Sequence, residues 1–219
     1  FHYHPAYAVY DEWYWNTYES VNKKFATIVM EQDIADLDEV WVHDYQLMLL
    51  PKLIRASNTR ISIGYFQHIP FPPDELFRGI PWRDELLKGL LDADLIAFHT
   101  YNDTQHFLNA CTHILGIPIQ NNCLRSGGRS VYVEVFPMGI DYDKFNNMAQ
   151  SPEIQERAQE IRTYYNNRKF ILSIDRLDYS KGIIERLRAF EALLKTYPEF
   201  QNEVILYMLV VPSRDTVPK

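Results

Sequence analysis

The sequence predicts an α/β fold in which short strands of a parallel sheet alternate with helices. Three observations support this prediction. Apolar runs of strand length recur along the chain, and segments with apolar residues at helical spacing lie between them. Several of the runs end in charged or polar residues, which is typical of the edge where parallel sheets bind ligands. The predicted strands are 39–42, 60–66, 94–98, 131–136, 170–174 and 204–211.

Helices are predicted in the intervals between these strands. The first, 13–31, carries one apolar face that we expect to meet the core; its residues are Trp15, Tyr18, Val21, Phe25, Ile28 and Val29. Further helices are predicted from 47 onward, where Pro51 fits only in the first turn, and over 84–91, 100–115 and 183–196. Residues 121–130 contain two adjacent glycines and predict a polar turn region.

Composition excludes several classes of protein. The chain has 219 residues, of which 47% are hydrophobic and 23% charged, so it can bury a substantial core. Its net charge of -7 argues against a general nucleic-acid or membrane-surface binder, so a phosphate site would have to be a local basic island. We therefore expect no nucleic-acid partner.

The pattern of cysteines and apolar runs points to a reducing compartment. Cys111 and Cys123 form neither a disulfide framework nor a metal-binding spacing, so we expect two small buried thiols. No run of about 18 apolar residues occurs, and no signal-peptide pattern is present. We expect a cytoplasmic protein without a membrane partner.

The segment from Lys169 to Gly182, KFILSIDRLDYSKG, contains the clearest candidate binding site. Its run 170–174 predicts a buried parallel strand, and Arg176 and Lys181 follow in the loop before the next helix. Arg offers a planar pair of donors, Lys a point charge, and a helix start adds unpaired N–H groups. This combination suits a diphosphate. A solvated surface loop with an Arg–Asp pair is the alternative interpretation.

Two further candidates lie where other predicted strands end. Asp44 follows strand 39–42, where its carboxylate can bind a hydroxyl or act as a base, or can instead cap the next helix. His68 follows strand 60–66, in a loop that three prolines make stiff, and can be either structural or catalytic.

Several stretches resemble the trehalose-6-phosphate synthase family. The most specific are VWVHDYQLMLLP (40–51), GYFQHIPFPP (64–73) and SIDRLDYSKG (173–182), in the family's order and at similar separations. FHY at the start, LLDADLIAFHT (90–100) and VFPMGID (135–141) are similar to the same family, so the resemblance covers nearly the whole chain.

The resemblance implies a retaining glycosyltransferase that moves glucose from UDP-glucose to glucose 6-phosphate. Arg176 and Lys181 would hold the UDP diphosphate, Asp44 would contact the acceptor glucose 6-phosphate, and His68 the donor glucose. Ile69 would help to select the anomer. UDP-glucose is then a substrate, so no cofactor is expected, and no metal is needed because cations and a helix start bind the diphosphate. His2 and His4, which flank Tyr3, are interpreted as part of a polar loop for lack of a third ligand nearby.

The implied architecture is of the GT-B type, with two Rossmann-like domains and the site in the cleft between them. Residues 1–145 would be the later part of the N-terminal, acceptor-side domain, 146–168 a helical connection, and 169–219 the start of the nucleotide-sugar domain. A homo-oligomer or a fused phosphatase domain is compatible with the family.

Two departures from the family pattern bear on activity. Gln46 stands where many members have His, and we expect it to be tolerated. The chain also lacks the family's N-terminal glycine loop, its acceptor-phosphate Arg and its later acidic stretch, so we expect residues 1–219 alone to be an inactive fragment. A glucosylglycerol-phosphate synthase and a catalytically silent sugar-phosphate-binding homologue are the alternative functions. The presence of Asp44, His68, Arg176 and Lys181 argues against the silent homologue.

Overall fold

The computed structural model describes residue 5 and residues 8–32, 38–57 and 60–212, so His2 and His4 lie outside the described residues. The chain divides into two compact units, Phe1–Gly139 and Ile140–Lys219.

The first unit is built on a six-stranded sheet in the order β1-β2-β3-β6-β5-β4. Strands β1, β2, β3 and β6 are parallel, as the alternating pattern predicted. Their carboxyl ends therefore reach the same edge of the sheet. The strands are β1 (Glu39–His43), β2 (Ser62–Gln67), β3 (Leu95–Phe98), β4 (Ile119–Gln120), β5 (Cys123–Ser126) and β6 (Arg129–Val135).

The polar turn region predicted at 121–130 is confirmed only at 121–122 and 127–128, because the other residues of this segment belong to antiparallel strands. β5 pairs with β6, and β4 pairs with β5, at the end of the sheet. Gly127 and Gly128 form the tight turn between β5 and β6, with φ of 57° and 81°, values that favour glycine. The segment gave no strand signal because its one fully buried residue, Leu124, is flanked by polar neighbours.

Five α-helices of the first unit surround the sheet: α1 (Glu12–Met30), α2 (Leu50–Ser57), α3 (Asp74–Phe77), α4 (Arg83–Leu90) and α5 (Tyr101–Leu115). Pro51 lies in the first turn of α2, where a proline is tolerated. Thr100 caps α5 by accepting a hydrogen bond from the Asp103 N–H, and Gly116 ends it at a φ of 69°. Among the described residues, no helix combines the length and apolar character needed to cross a membrane.

The face that α1 buries agrees only in part with the predicted apolar stripe, of which Trp15, Tyr18 and Val29 pack against the core. Asn22 and Ala26 are its buried residues, whereas Val21, Phe25 and Ile28 are 41%, 46% and 47% exposed. The buried face is set by hydrogen bonds from α1 to the chain after β1, and these place a polar residue against the core. The spacing of apolar residues in a sequence indicates only the apolar face of a helix, so it cannot predict that a polar residue is buried.

Both cysteines are free thiols. Cys111 is buried in α5, and burial raises the pKa of its thiol, so it is held in the unreactive protonated form. Cys123 is only half-buried, which differs from the prediction of two buried thiols.

The second unit contains one parallel βαβ element preceded by two helices. Strands β7 (Lys169–Arg176) and β8 (Val204–Val211) pair along their full length and are connected by α8 (Ile183–Thr196), as predicted. The preceding helices are α6 (Tyr142–Ala149) and α7 (Pro152–Tyr164). β7 is parallel but not buried as predicted: only Ser173 is buried, and Leu172 and Ile174 are each 61% exposed. Within the described residues this sheet has two strands joined by one helix, which leaves most apolar side chains of β7 exposed.

Asp94 joins strands β2 and β3 to helix α2. Its N–H donates to the Ile63 carbonyl and its Oδ2 accepts from the Ile63 N–H, both at 2.8 Å. The same oxygen accepts from Nη2 of the buried Arg55 at 2.7 Å, and Oδ1 accepts from Nη2 of Arg129 at 3.3 Å. One carboxylate thus pairs with two arginines at the amino end of β3.

Replacing Asp94 with Ala removes the carboxylate that accepts a hydrogen bond from the buried Arg55 guanidinium. We expect Asp94→Ala to lower the free energy of unfolding of the first unit by about 2 to 4 kcal/mol. Asp92→Ala is the matched control, because the Asp92 carboxylate reaches Arg129 only at 3.8 Å, and we expect a loss below about 1 kcal/mol. Hydrogen exchange of the β2 and β3 amides in urea measures both. Equal effects of the two substitutions would contradict this role of Asp94.

Candidate active site

The parallel register brings the residues that follow β1 and β2 together. His43, the last residue of β1, lies opposite Phe66 of β2. Asp44 and His68 come directly after these strands, and the His68 N–H donates to Asp44 Oδ1 at 3.3 Å. Two of the predicted site residues are therefore in contact at the ligand-binding edge of the sheet.

Asp44 has a backbone conformation that non-glycine residues rarely adopt. Its φ of 70° and ψ of 168° fall in a region almost restricted to glycine, which costs about 1 to 3 kcal/mol. Hydrogen bonds hold this conformation: the Asp44 N–H donates to the Phe66 carbonyl at 2.8 Å, and Asp44 Oδ1 accepts from the Tyr45 N–H at 3.1 Å. Strain of this kind is concentrated at functional sites.

The two interpretations of Asp44 are compatible. Oδ1 caps the 3-10 turn Tyr45–Leu47, as the capping alternative stated. Oδ2 makes no hydrogen bond to any other residue that the structure describes, and the residue is half-buried. The carboxylate can therefore hold its own backbone with one oxygen and bind a hydroxyl with the other.

Helix α1 holds the turn after Asp44 in place. Tyr18 OH donates to the Tyr45 carbonyl at 2.7 Å and accepts from the Met48 N–H at 3.0 Å, and Asn22 Nδ2 donates to the Gln46 carbonyl at 3.0 Å. Burial raises the pKa of Tyr18, so its phenol remains a neutral donor. The backbone of Gln46 is fixed in this way, while its side chain is exposed.

The His68 ring belongs to a cluster of aromatic and imidazole groups. Its centroid lies 5.2 Å from that of His43, 4.8 Å from that of Phe66 and 5.5 Å from that of His99. His43 Nδ1 and His68 Nε2 are 2.9 Å apart, a hydrogen-bonding distance. Neither His43 nor His99 was predicted as a site residue, although each lies at the end of a parallel strand, which was the available signal.

The loop that carries His68 is fastened by polar side chains of α5 as well as stiffened by prolines. The Phe71 N–H donates to Asp103 Oδ1 at 2.9 Å, and His106 Nδ1 lies 2.9 Å from the Phe71 carbonyl. The Phe71 ring is fully buried and packs edge-on against Phe107. Ile69, next to His68, is half-buried.

Arg176 and Lys181, in the second unit, lie on the two sides of a short turn. Arg176 is the last residue of β7 and not a loop residue as predicted, since the strand extends past 174. Lys181 ends the 3-10 turn Tyr179–Lys181, and Gly182, with a φ of 59°, leads into α8. Both cationic side chains are exposed, and neither makes a hydrogen bond or ion pair with another described residue.

The Arg–Asp pair of the surface-loop alternative is formed by a different arginine. Arg186 on α8 donates to Asp175 Oδ2 at 2.7 Å, to Ser173 Oγ, and to the Lys181 carbonyl at 3.1 Å. Asp178 accepts from the Ser180 N–H at 2.9 Å. Arg186 therefore neutralises Asp175 and fixes the turn, which leaves Arg176 and Lys181 as the cations available to an anion.

The described residues contain no group of three or more His, Cys, Asp and Glu side chains arranged to hold a metal ion. What the structure offers is a carboxylate and an imidazole on the first unit, and two cations beside a helix start on the second. The first pair of groups can bind hydroxyls, and the second pair can bind a charged phosphate ester.

Comparison with known proteins gives close relatives over the whole chain. The chain is 45% identical to alpha,alpha-trehalose-phosphate synthase (UDP-forming) 2 of Aspergillus fumigatus, over 99% of its own length and 46% of that protein's. It thus spans about half the length of this relative.

Two solved structures share the fold. The E. coli protein bound with UDP-2-fluoro glucose superposes with a TM-score of 0.89 at 33% identity, over 100% of this chain and 48% of that one. An alpha,alpha-trehalose-phosphate synthase (UDP-forming) from Burkholderia xenovorans in complex with glucose-6-phosphate gives 0.88 at 31% identity, over 99% and 49%. This likeness confirms the predicted α/β fold of the GT-B type. The family model that matches covers residues 1–219, and the chain belongs to glycosyltransferase family 20.

Proposed function

We propose that the whole protein transfers glucose from UDP-glucose to glucose 6-phosphate, giving trehalose 6-phosphate and UDP with retention of the α configuration. The observation that carries this proposal is the pair of cations, Arg176 and Lys181, at the carboxyl end of β7 with no anionic partner among the described residues. Its relatives supply the substrate class: a UDP-forming synthase and structures with a UDP-glucose analogue and with glucose-6-phosphate.

The role of the two cations follows from where charge develops. As the bond between C1 of glucose and the β-phosphate oxygen breaks, negative charge grows on the departing diphosphate. Donors fixed at that position stabilise the transition state more than the bound substrate, which raises kcat. Arg186 holds the turn through the Lys181 carbonyl, so the Lys181 backbone is already placed before the substrate binds.

The start of α8 adds to the same field. Gly182 offers no capping side chain, so the first N–H groups of this 14-residue helix are available to an anion. Gly182 also has the left-handed conformation that lets the chain turn from the 3-10 turn into the helix. We propose that the diphosphate lies near this helix start and needs no metal.

Asp44 is proposed to bind a hydroxyl of the acceptor. Its Oδ2 has no partner among the described residues, whereas Oδ1 is fixed by the Tyr45 and His68 N–H groups. A carboxylate held in this way orients the acceptor with little loss of side-chain freedom on binding. In a front-face reaction the acceptor oxygen bonds to C1 while its proton passes to the departing phosphate oxygen, so Asp44 acts as a positioning group and not as a nucleophile.

His68 and Ile69 are proposed to contact the donor glucose. The exposed His68 ring rests on Phe66 and is hydrogen-bonded to His43, so it is oriented before a sugar binds. Ile69 follows it in a loop whose backbone is held by Asp103, and its proposed role is to restrict which anomer fits.

Arg176→Ala in the whole protein tests the proposed reaction. We expect kcat for UDP release from UDP-glucose with glucose 6-phosphate to fall about 100- to 1,000-fold, because one oxyanion-type donor is lost. Arg188→Ala is the matched control, since Arg188 is an exposed arginine on α8, and it should retain full activity. A loss of only a few-fold in Arg176→Ala would contradict the diphosphate role. Turnover with glycerol 3-phosphate in place of glucose 6-phosphate would contradict the proposed acceptor.

Asp44→Asn separates acceptor binding from capping. Asn keeps one oxygen for the Tyr45 and His68 N–H groups, so the fold should be preserved while the second carboxylate oxygen is lost. We expect KM for glucose 6-phosphate to rise about 10- to 100-fold, with KM for UDP-glucose nearly unchanged. Glu39→Gln, at the other end of β1, is the control and should alter neither constant. Unchanged dependence on glucose 6-phosphate in Asp44→Asn would rule out the acceptor role.

A further inference from the structure

We propose that His43 is a positioning residue for His68: through the hydrogen bond between His43 Nδ1 and His68 Nε2, it fixes the tautomer and the ring orientation that His68 presents to substrate. This inference rests on the proposed function, because it concerns the ring that would contact the donor glucose. It adds a residue outside the four that the sequence singled out for catalysis.

The structure holds His43 in the geometry that this role requires. The His43 ring lies between two others, with centroids 4.6 Å from Trp41 and 5.2 Å from His68, the latter nearly parallel at 21°. Trp41 and His43 are two residues apart on β1 and so share a face of the sheet. The partner of Trp41 on β2 is Gly64, and the Trp41 ring lies over it, since an added Cβ at Gly64 would be in ordinary contact with Trp41 Cδ1 at 3.5 Å.

The hydrogen bond restricts the protonation of both rings. One of the two facing nitrogens must donate and the other must accept, so the pair carries one proton between them. If His68 Nε2 donates, the neutral His68 ring keeps an unprotonated Nδ1 that accepts from a sugar hydroxyl. If His43 Nδ1 donates, His68 carries its own proton on Nδ1 and donates to the sugar instead. The tautomer of His43 therefore sets which of the two hydrogen bonds His68 can make.

No other described group competes for this edge of His68. Asp44 contacts the His68 backbone N–H and not its ring, and Phe66 packs on the ring without a hydrogen bond. His99 packs against the ring at 57°, and its buried Nδ1 has no hydrogen-bond partner among the described residues. Within this part of the chain the only hydrogen bond to the His68 ring comes from His43, so removing it frees both ring rotation and tautomer exchange.

Substitutions at His43 in the whole protein distinguish a hydrogen-bonding role from a packing role. Asn places its amide where imidazole Nδ1 lies, whereas Gln reaches the position of Nε2 and Ala removes the group. We expect His43→Asn to retain kcat/KM for UDP-glucose within about twofold. His43→Gln and His43→Ala should each lose about three- to tenfold, with KM for glucose 6-phosphate unchanged. Glu39→Gln, at the other end of β1, is the control and should retain full activity.

A second measurement does not depend on turnover. Two-bond 1H–15N spectra of histidine-labelled protein report the tautomer of each ring, and His68→Asn identifies the His68 signals. We expect one dominant His68 tautomer in the wild type and in His43→Asn, and nitrogen shifts that indicate exchange between both tautomers in His43→Ala.

Each outcome decides the proposal. Unchanged His68 shifts in His43→Ala would overturn it whatever the activity, and so would changed shifts with unchanged kcat/KM for UDP-glucose. Equal losses in His43→Asn and His43→Gln would also overturn it, because packing rather than Nδ1 would then be responsible. If the tautomer responds as expected but the wild type releases no UDP, the proposed function fails while the hydrogen bond stands.

Discussion

The parallel pairing of strands is the constraint on which the candidate site depends. Parallel strands end at one edge, so residues far apart in the chain meet where their strands stop. Asp44 and His68 come together in this way beyond β1 and β2, with a hydrogen bond between them. In the second unit, Arg176 ends β7 opposite Val211 at the end of β8, and the turn to α8 begins there. The backbone ladder thus places the candidate site residues.

The structure holds these residues in position at an energetic cost that local contacts offset. Asp44 has a positive φ, a backbone conformation that glycine adopts far more readily than other residues. Hydrogen bonds to Phe66, Tyr45 and His68 maintain it. The Arg186 guanidinium donates hydrogen bonds to Asp175, Ser173 and the Lys181 carbonyl. As a result, in a chain with a net charge of -7, two neighbouring cations have no internal partner among the described residues. An unpaired basic pair in an acidic protein is a condition that favours binding of a small anion.

Sequence patterns were sufficient for features that depend on local chemistry and insufficient for those that depend on distant contacts. The parallel strands and the Gly116 helix end follow from local signals and were predicted. The antiparallel strand β5 was missed because Leu124 alone carries its buried side. The buried face of α1 was predicted only in part, because Asn22 is buried by a hydrogen bond to the Gln46 carbonyl, 24 residues away. The strain at Asp44 and the His43–His68 bond likewise arise only when β1 and β2 pair.

We propose that Arg176 and Lys181 bind the diphosphate of a nucleotide sugar. Calorimetric titration of UDP into the whole protein is the most direct test of this role. Charge-assisted hydrogen bonds to phosphate are among the strongest that a protein makes. We therefore expect the double substitution Arg176→Ala/Lys181→Ala to weaken UDP binding by about 100-fold or more. The Arg188→Ala control should bind like the wild type. A double variant that binds UDP with the wild-type Kd would contradict the diphosphate role of Arg176 and Lys181.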